Sequence, residues 1–251
     1  MASLVDAFPL LNAVRDAMFL SGTVGAVDHA TPTMRRVELR GPRLRGLTWT
    51  PGQHVRVQVA GFRESVVRLR PRDTLRTYSI HRADPDTGTL ELVMFDHGHL
   101  DTPATRWGAD VSVGDEVFFT RPQGNLVIRH DAPYHLFAGE ETASVAFAAM
   151  LRSLPAGTEA YGVLEGEPGA VPLPTAHPMT HVDRVGSAAD SVALAEALRA
   201  LELPERPGVA YLAGEARTIQ RLRRILTDER GWDRRQIVTK PFWTPGRTGM
   251  E

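Results

Sequence analysis

The chain has 251 residues, a formal net charge of −1 and no cysteine. Disulfides, iron–sulfur ligation, thiol nucleophiles and cysteinyl attachment of a cofactor are thereby excluded, and a near-neutral balance argues against a broad nucleic-acid or membrane surface, which needs clustered positive charge. No run of about 18 apolar residues is present to span a bilayer, and 42% hydrophobic residues suffice for a core without a structural metal.

In chain order, Leu4–Leu20 is moderately apolar, but it carries Asp6 and Asp16 and lacks a basic start. It reads as an amphipathic N-terminal helix rather than a signal peptide, and the expected location is the cytoplasm. Strands are predicted at Thr23–Asp28, Met34–Leu39, His54–Val59, Leu75–His81, Leu90–Phe95 and Glu116–Arg121, where β-branched residues or alternation dominate. Gly41-Pro42, Pro51-Gly52, Asp86-Thr87-Gly88 and Val113-Gly114-Asp115 supply the turns. Short strands at this spacing, with one helix at Thr102–Trp107, imply a small antiparallel barrel.

The pattern changes near Asp131-Ala132-Pro133. Strands at His135–Ala138, Glu159–Leu164, His181–Val185, Val209–Ala213 and Gln236–Lys240 alternate with helices at Thr142–Leu151, Asp190–Leu201 and Ala216–Asp228, and Gly166–Pro178 reads as a surface connection. Such alternation predicts a parallel sheet covered on both faces, with ligands at the carboxyl ends of its strands. The expected fold class is therefore two-domain β + α/β. Its parts are an N-terminal helix over 1–20, a barrel over 21–130 and an α/β domain over 131–251.

Arg76-Thr77-Tyr78-Ser79 lies in a predicted strand, which puts Arg76 and Tyr78 on one face and Thr77 and Ser79 on the other. A dinucleotide flavin needs these groups: a bidentate cation for its pyrophosphate, an aromatic wall, and a small hydroxyl near the atom that gains and loses hydride. By itself the run is more often an ordinary edge strand. Downstream come Phe95-Asp96-His97-Gly98, then Pro103-Ala104-Thr105-Arg106-Trp107, then Val113-Gly114-Asp115. A helix starting at Pro103 offers unpaired N–H groups to a phosphate, although proline is favoured there for structural reasons too.

This order resembles the flavin-binding domain of the siderophore-interacting proteins, a branch of the ferredoxin–NADP reductase superfamily, and the resemblance runs from about residue 21 to the end. It implies FAD held by Arg76, Thr77, Tyr78, Ser79, Phe95, His97, Pro103, Ala104 and Thr105. Two positions depart from the pattern: Thr102 replaces a glycine, and Arg121 precedes Pro122 where the family has glycine, while Gly124 remains.

Gly139-Glu140-Glu141-Thr142-Ala143 resembles the family's Gly-Asp-Glu-Thr-Ala, implying cofactor contacts from Glu141, Thr142 and Ala143. As chemistry it is a strand-to-helix turn with a hydroxyl at a helix start, for which simple capping is an equal reading. No Gly-x-Gly-x-x-Gly fingerprint occurs, and the family lacks it as well. Gly214-Glu215 is a second such turn; it resembles a Gly-Glu that the family carries there, which implies a place for NAD(P)H. At the end, Lys240-Pro241-Phe242-Trp243-Thr244-Pro245-Gly246-Arg247 resembles the family's closing segment. The resemblance implies that Lys240 and Arg247 hold an anionic ferric siderophore and that Trp243 stacks on it. Lys240 is the only lysine in the chain.

His97 and His99 have no third partner, so no bound metal is expected. No catalytic acid–base pair or nucleophile is expected either, because the flavin carries the chemistry. The implied activity is cytoplasmic reduction of ferric siderophores through FAD, with electrons from NAD(P)H or a ferredoxin. The alternatives are a general flavin or ferredoxin reductase and a non-catalytic chelate-binding flavoprotein. Siderophore identity and oligomeric state are not legible in the sequence.

Overall fold

The computed structural model describes Arg15 and residues 17–59, 75–95, 103–168 and 176–246. The expected N-terminal helix falls almost wholly outside these residues, as do Thr102, His97 and Arg247. Six strands come first: β1 (Leu20–Thr31), β2 (Met34–Arg40), β3 (His54–Gln58), β4 (Leu75–Asp84), β5 (Thr89–Phe95) and β6 (Glu116–Phe119). They close into a barrel in the order β1-β2-β5-β4-β3-β6. Alternation explains the closure: Val37, Leu39, Val55, Val57, Leu90 and Leu92 all turn inward and are fully buried, leaving their neighbours on the outer face. Helix α1 (Pro103–Asp110) links β5 to β6 and runs three residues beyond the expected Trp107.

The second half holds β7 (His135–Glu140), β8 (Ala160–Gly166), β9 (Thr180–Asp183), β10 (Val209–Glu215) and β11 (Ile237–Trp243) in a parallel sheet ordered β11-β10-β7-β8-β9. Helices α2 (Ser144–Arg152), α3 (Val192–Ala200) and α4 (Ala216–Arg224) cover it. Every residue of β7 and β10 is buried, as a sheet covered on both faces requires. The helix expected from Thr142 instead begins with a tight 3₁₀ turn over Glu141–Ala143, and the amphipathic helix after Ala216 widens into a π turn at Ile225–Glu229. Strand β11 runs three residues past Lys240, and Pro241 is tolerated there because β11 is a sheet edge with no outer ladder to serve.

The two halves meet along a dry seam in which Met34 and Val93 of the barrel pack on Val145 and Ala148 of α2. Arg152 reaches across to donate to the carbonyl of His81. This seam holds the end of β11 and the turn after β7 against the outer barrel face that carries Thr77 and Ser79.

Candidate functional site

A cavity of about 340 Å³ opens at the junction, within the usual size range of small-molecule sites. Its walls come from β2, β4, β5, α1, the β7–α2 turn and β11. The four residues Arg76, Thr77, Tyr78 and Ser79 all line it, as do Phe95, Ala104, Thr105, Thr142, Lys240 and Trp243. Residues far apart in sequence thus reach one space. Pro103 opens α1 beside it.

Local structure explains each placement. Tyr78 packs its ring on Trp107 of α1, with centroids 5.5 Å apart and planes tilted by 37°, so the barrel wall and the helix are fixed to one another. Burial pushes the Tyr78 phenol upward, which keeps it neutral. Arg35 on β2 gathers the other end of α1, its guanidinium donating to the carbonyls of Gly108, Ala109 and Val111. Those carbonyls would otherwise be orphaned at a helix end. A cation there also matches the negative pole of the helix dipole.

Two cations stand beside the cavity. In the β3–β4 ladder Arg56 is opposite Thr77 and His54 opposite Ser79, so Arg56 shares a face with the flavin-type hydroxyls. Neither Arg56 nor Lys240 is ion-paired among the described residues, and the buried Nε of Arg56 has no hydrogen-bond partner. Burial first, and then the charge of Arg56, lower the Lys240 ammonium from its ordinary value. His54 is pushed down to about 4 by burial and by both cations, so it is neutral near pH 7. Its ring also explains why Gly124 is glycine: φ there is +113°, and a Cβ would stand 2.8 Å from the imidazole.

The turn after β7 divides its acidic residues. Glu140 is 1% exposed and its carboxylate accepts three hydrogen bonds: from Trp243 Nε1 at 2.9 Å, from the Thr142 amide at 2.8 Å and from the Thr142 hydroxyl. Burial, with the charge of Glu141, pushes it up to about 7. Glu141, expected among the cofactor contacts, instead pairs with Arg184 and does not line the cavity. Ala143 is buried with Phe137 and Phe147 in the core beside the parallel sheet and does not line it either. One-residue spacing on a tight turn sends neighbouring side chains different ways, which motif order does not reveal.

Gly214 and Glu215 also lie off the cavity wall. The fully buried Glu215 carboxylate caps α4, accepting from the amides of Arg217 and Thr218 at 2.9 Å, and also takes the amide of Asp190 at 3.1 Å. Arg121 is exposed and does not touch the cavity. Motif order did not mark Arg35, Arg56 or Glu140. A signal for Arg56 exists in its alternation with His54 along β3; Glu140 and Arg35 act through backbone and tertiary contacts that leave no spacing signature.

Residues 23–126 match the siderophore-interacting FAD-binding domain, and residues 132–246 match the family described as siderophore-interacting protein. The chain belongs to the siderophore-interacting protein family. It is 24% identical over 241 residues to the ferric vibriobactin reductase ViuB of Vibrio cholerae, covering 87% of each chain. The siderophore-interacting protein SipS from Aeromonas hydrophila superposes with a TM-score of 0.77 at 23% identity, covering 92% of this chain and 93% of that one. Ferredoxin–NADP+ reductase from Plasmodium falciparum shares the fold at a TM-score of 0.68 and 11% identity, over 89% of this chain and 96% of that one. The barrel-plus-parallel-sheet architecture of this family member is thus that of the ferredoxin–NADP reductases. Among the described residues no helix is long and apolar enough to cross a membrane, and no group of His, Asp and Glu has the arrangement of a metal site.

The residues present fit FAD. One wall offers an arginine, two hydroxyls and an aromatic ring, and a helix whose far end is already satisfied by Arg35 opens at the cavity. This donor set suits a diphosphate joined to a planar ring system.

Proposed function

We propose that this chain reduces ferric siderophores through a bound FAD, using NAD(P)H as the electron source, on the cytoplasmic side where reduced nicotinamide is held. One observation carries the reading: two unpaired cations, Arg56 and Lys240, stand beside a cavity built for a flavin. Half-buried cations next to one another without carboxylates repel, and the site is relieved when an anion arrives. Ferric catecholate chelates are such anions. We assign 21–130 to the flavin domain and 131–251 to the nucleotide-side domain with its chelate-holding tail.

FAD supplies the ability to take two electrons together and give them singly. The chain's residues do the rest. Arg76 and the first-turn amides of α1 neutralise the pyrophosphate. Tyr78, held by Trp107, forms the ring wall, and Thr77 and Ser79 offer hydroxyls to its polar edge. Lys240 and Arg56 hold the chelate by charge, while Phe242 and Trp243 give it an aromatic surface. Ferrous iron is bound far more weakly than ferric iron by hard oxygen ligands, so reduction is release.

The test is direct. Purified protein is expected to be yellow and to release FAD on heating. An anaerobic titration with NADH, NADPH or a reduced ferredoxin, followed by ferric siderophore, identifies donor and acceptor. Colourless protein that cannot be reconstituted sinks the flavin reading, and a reduced flavin that no ferric chelate reoxidises sinks the siderophore assignment.

A further inference from the structure

Glu140 is a carboxyl that motif order did not single out, yet two of the residues it holds, Thr142 and Trp243, form part of the cavity wall. Its two oxygens accept three hydrogen bonds from just those two residues. Gly214 closes the rear: with φ at +126°, a Cβ there would lie 2.7 Å from Glu140 Oε1. The carboxyl thus has one exit toward the cavity, through the Thr142 hydroxyl.

We propose that Glu140 is the proton-holding and positioning residue of this site, exchanging a proton with the cavity through Thr142 Oγ1 while pinning Trp243 in the wall. The inference rests on the reductase reading for its role in turnover. The balance requires such a group: one reduced nicotinamide and two ferric ions give one oxidised nicotinamide, two ferrous ions and one proton. Thr142 donates its hydroxyl hydrogen to Glu140 Oε1. It therefore turns oxygen lone pairs toward the cavity. A proton arriving on Oγ1 forms one O–H bond as the old one breaks toward Oε1. The hydroxyl then accepts from the protonated carboxyl and presents a hydrogen to the cavity. Electrons leave in the chelated iron and the proton stays with the protein until solvent takes it.

The surroundings keep this carboxyl available for both states. Glu141 follows it and is neutralised by Arg184. Glu165 lies beside it on β8, bonded to Ser191 at 2.7 Å. Glu215 on β10 is committed to the α4 cap, and Lys240 lies three residues before Trp243 on β11. Burial and the charge of Glu141 favour the protonated form, while the bonds from Thr142 and Trp243 favour the ionised one, with a midpoint of about 7.

The readout is the Trp243 indole N–H resonance, assigned by its loss in Trp243→Phe, in the purified protein. In the wild type it moves with pH around a midpoint near 7. In Glu140→Gln, which keeps an acceptor oxygen but cannot ionise, the movement is lost. In Thr142→Val the resonance still titrates, but reoxidation of the reduced, flavin-loaded protein by ferric chelate slows roughly tenfold or more and loses its rise with pH. A wild-type resonance that does not move, or a Thr142→Val protein with the wild-type pH profile, overturns the proposal. Protein that takes up no flavin, yet whose Trp243 resonance titrates in the wild type and not in Glu140→Gln, overturns the reductase reading while upholding the proton-holding carboxyl.

Discussion

Gly214 and Glu140 occupy adjoining space at the ends of two parallel strands: a Cβ on Gly214 would stand 2.7 Å from Oε1 of Glu140 and 3.0 Å from its Cγ. Gly214→Ala therefore meets both a left-handed backbone and a blocked carboxyl. We expect about 2–4 kcal/mol of destabilisation by denaturant unfolding. Adding Glu140→Ala to this variant should recover part of the loss, because the second change removes the obstacle. A Gly214→Ala protein as stable as the wild type would refute the contact.

Flavin retention should depend on β4. Arg76→Ala is expected to weaken FAD binding by about 1.5–3 kcal/mol, the value of a charge-assisted hydrogen bond, with the fold retained. Tyr78→Ala should also lose flavin, since it removes the wall and its packing on Trp107. The check is bound-flavin absorbance and a calorimetric titration of the apoprotein.

Chelate handling should depend on the two cations instead. Lys240→Ala and Arg56→Ala are each expected to weaken ferric-chelate binding about 5–10-fold at low salt, less at high salt, with flavin content unchanged. Lys240 is the only lysine, so reductive methylation with a ¹³C label leaves just its resonance and that of the amino terminus. Its titration should lie below that of free lysine, and Arg56→Ala should move it up by removing a repelling charge.

Acid should act on stability through opposing groups. His54 and His81 are held down to about 4, mainly by burial, so their contribution is complete above the unfolded value of 6.5 and is lost as pH falls toward 4. For the well-buried His54 that loss is roughly 3 kcal/mol at most. Glu140 runs the other way. Its carboxyl is raised from 4.5 to about 7, so the ionised form is penalised in the fold and stability falls as pH rises through that window. Unfolding midpoints against pH should show a shallower acid loss in His54→Gln and a steeper one in Glu140→Gln.

Much of the architecture is legible in the sequence. Barrel strands announce themselves by alternation between glycine and proline turns, and the sheet strands by apolar runs between amphipathic helices. Arg76 to Ser79 could be placed on two faces of a strand from periodicity alone, and the family resemblance set them beside Ala104, Thr105, Thr142 and Trp243, with which they share the cavity. Glu141 and Glu215 show the limit. Both stand in strand-to-helix turns where a ligand contact and a structural role look alike, and the structure commits one to Arg184 and the other to the α4 cap.

The sequence by itself determined the elements, their order and the motif that a flavin would need, because these follow from local periodicity and turn chemistry. Only the tertiary structure decided that Arg56 stands unpaired beside Thr77 and that Glu140, not Glu141, faces Thr142 and Trp243. The physical reason is that charge and burial are properties of a neighbourhood. Glu140 meets Trp243 at a sequence separation of 103, and no spacing rule within one segment reports which carboxylate the folded chain encloses.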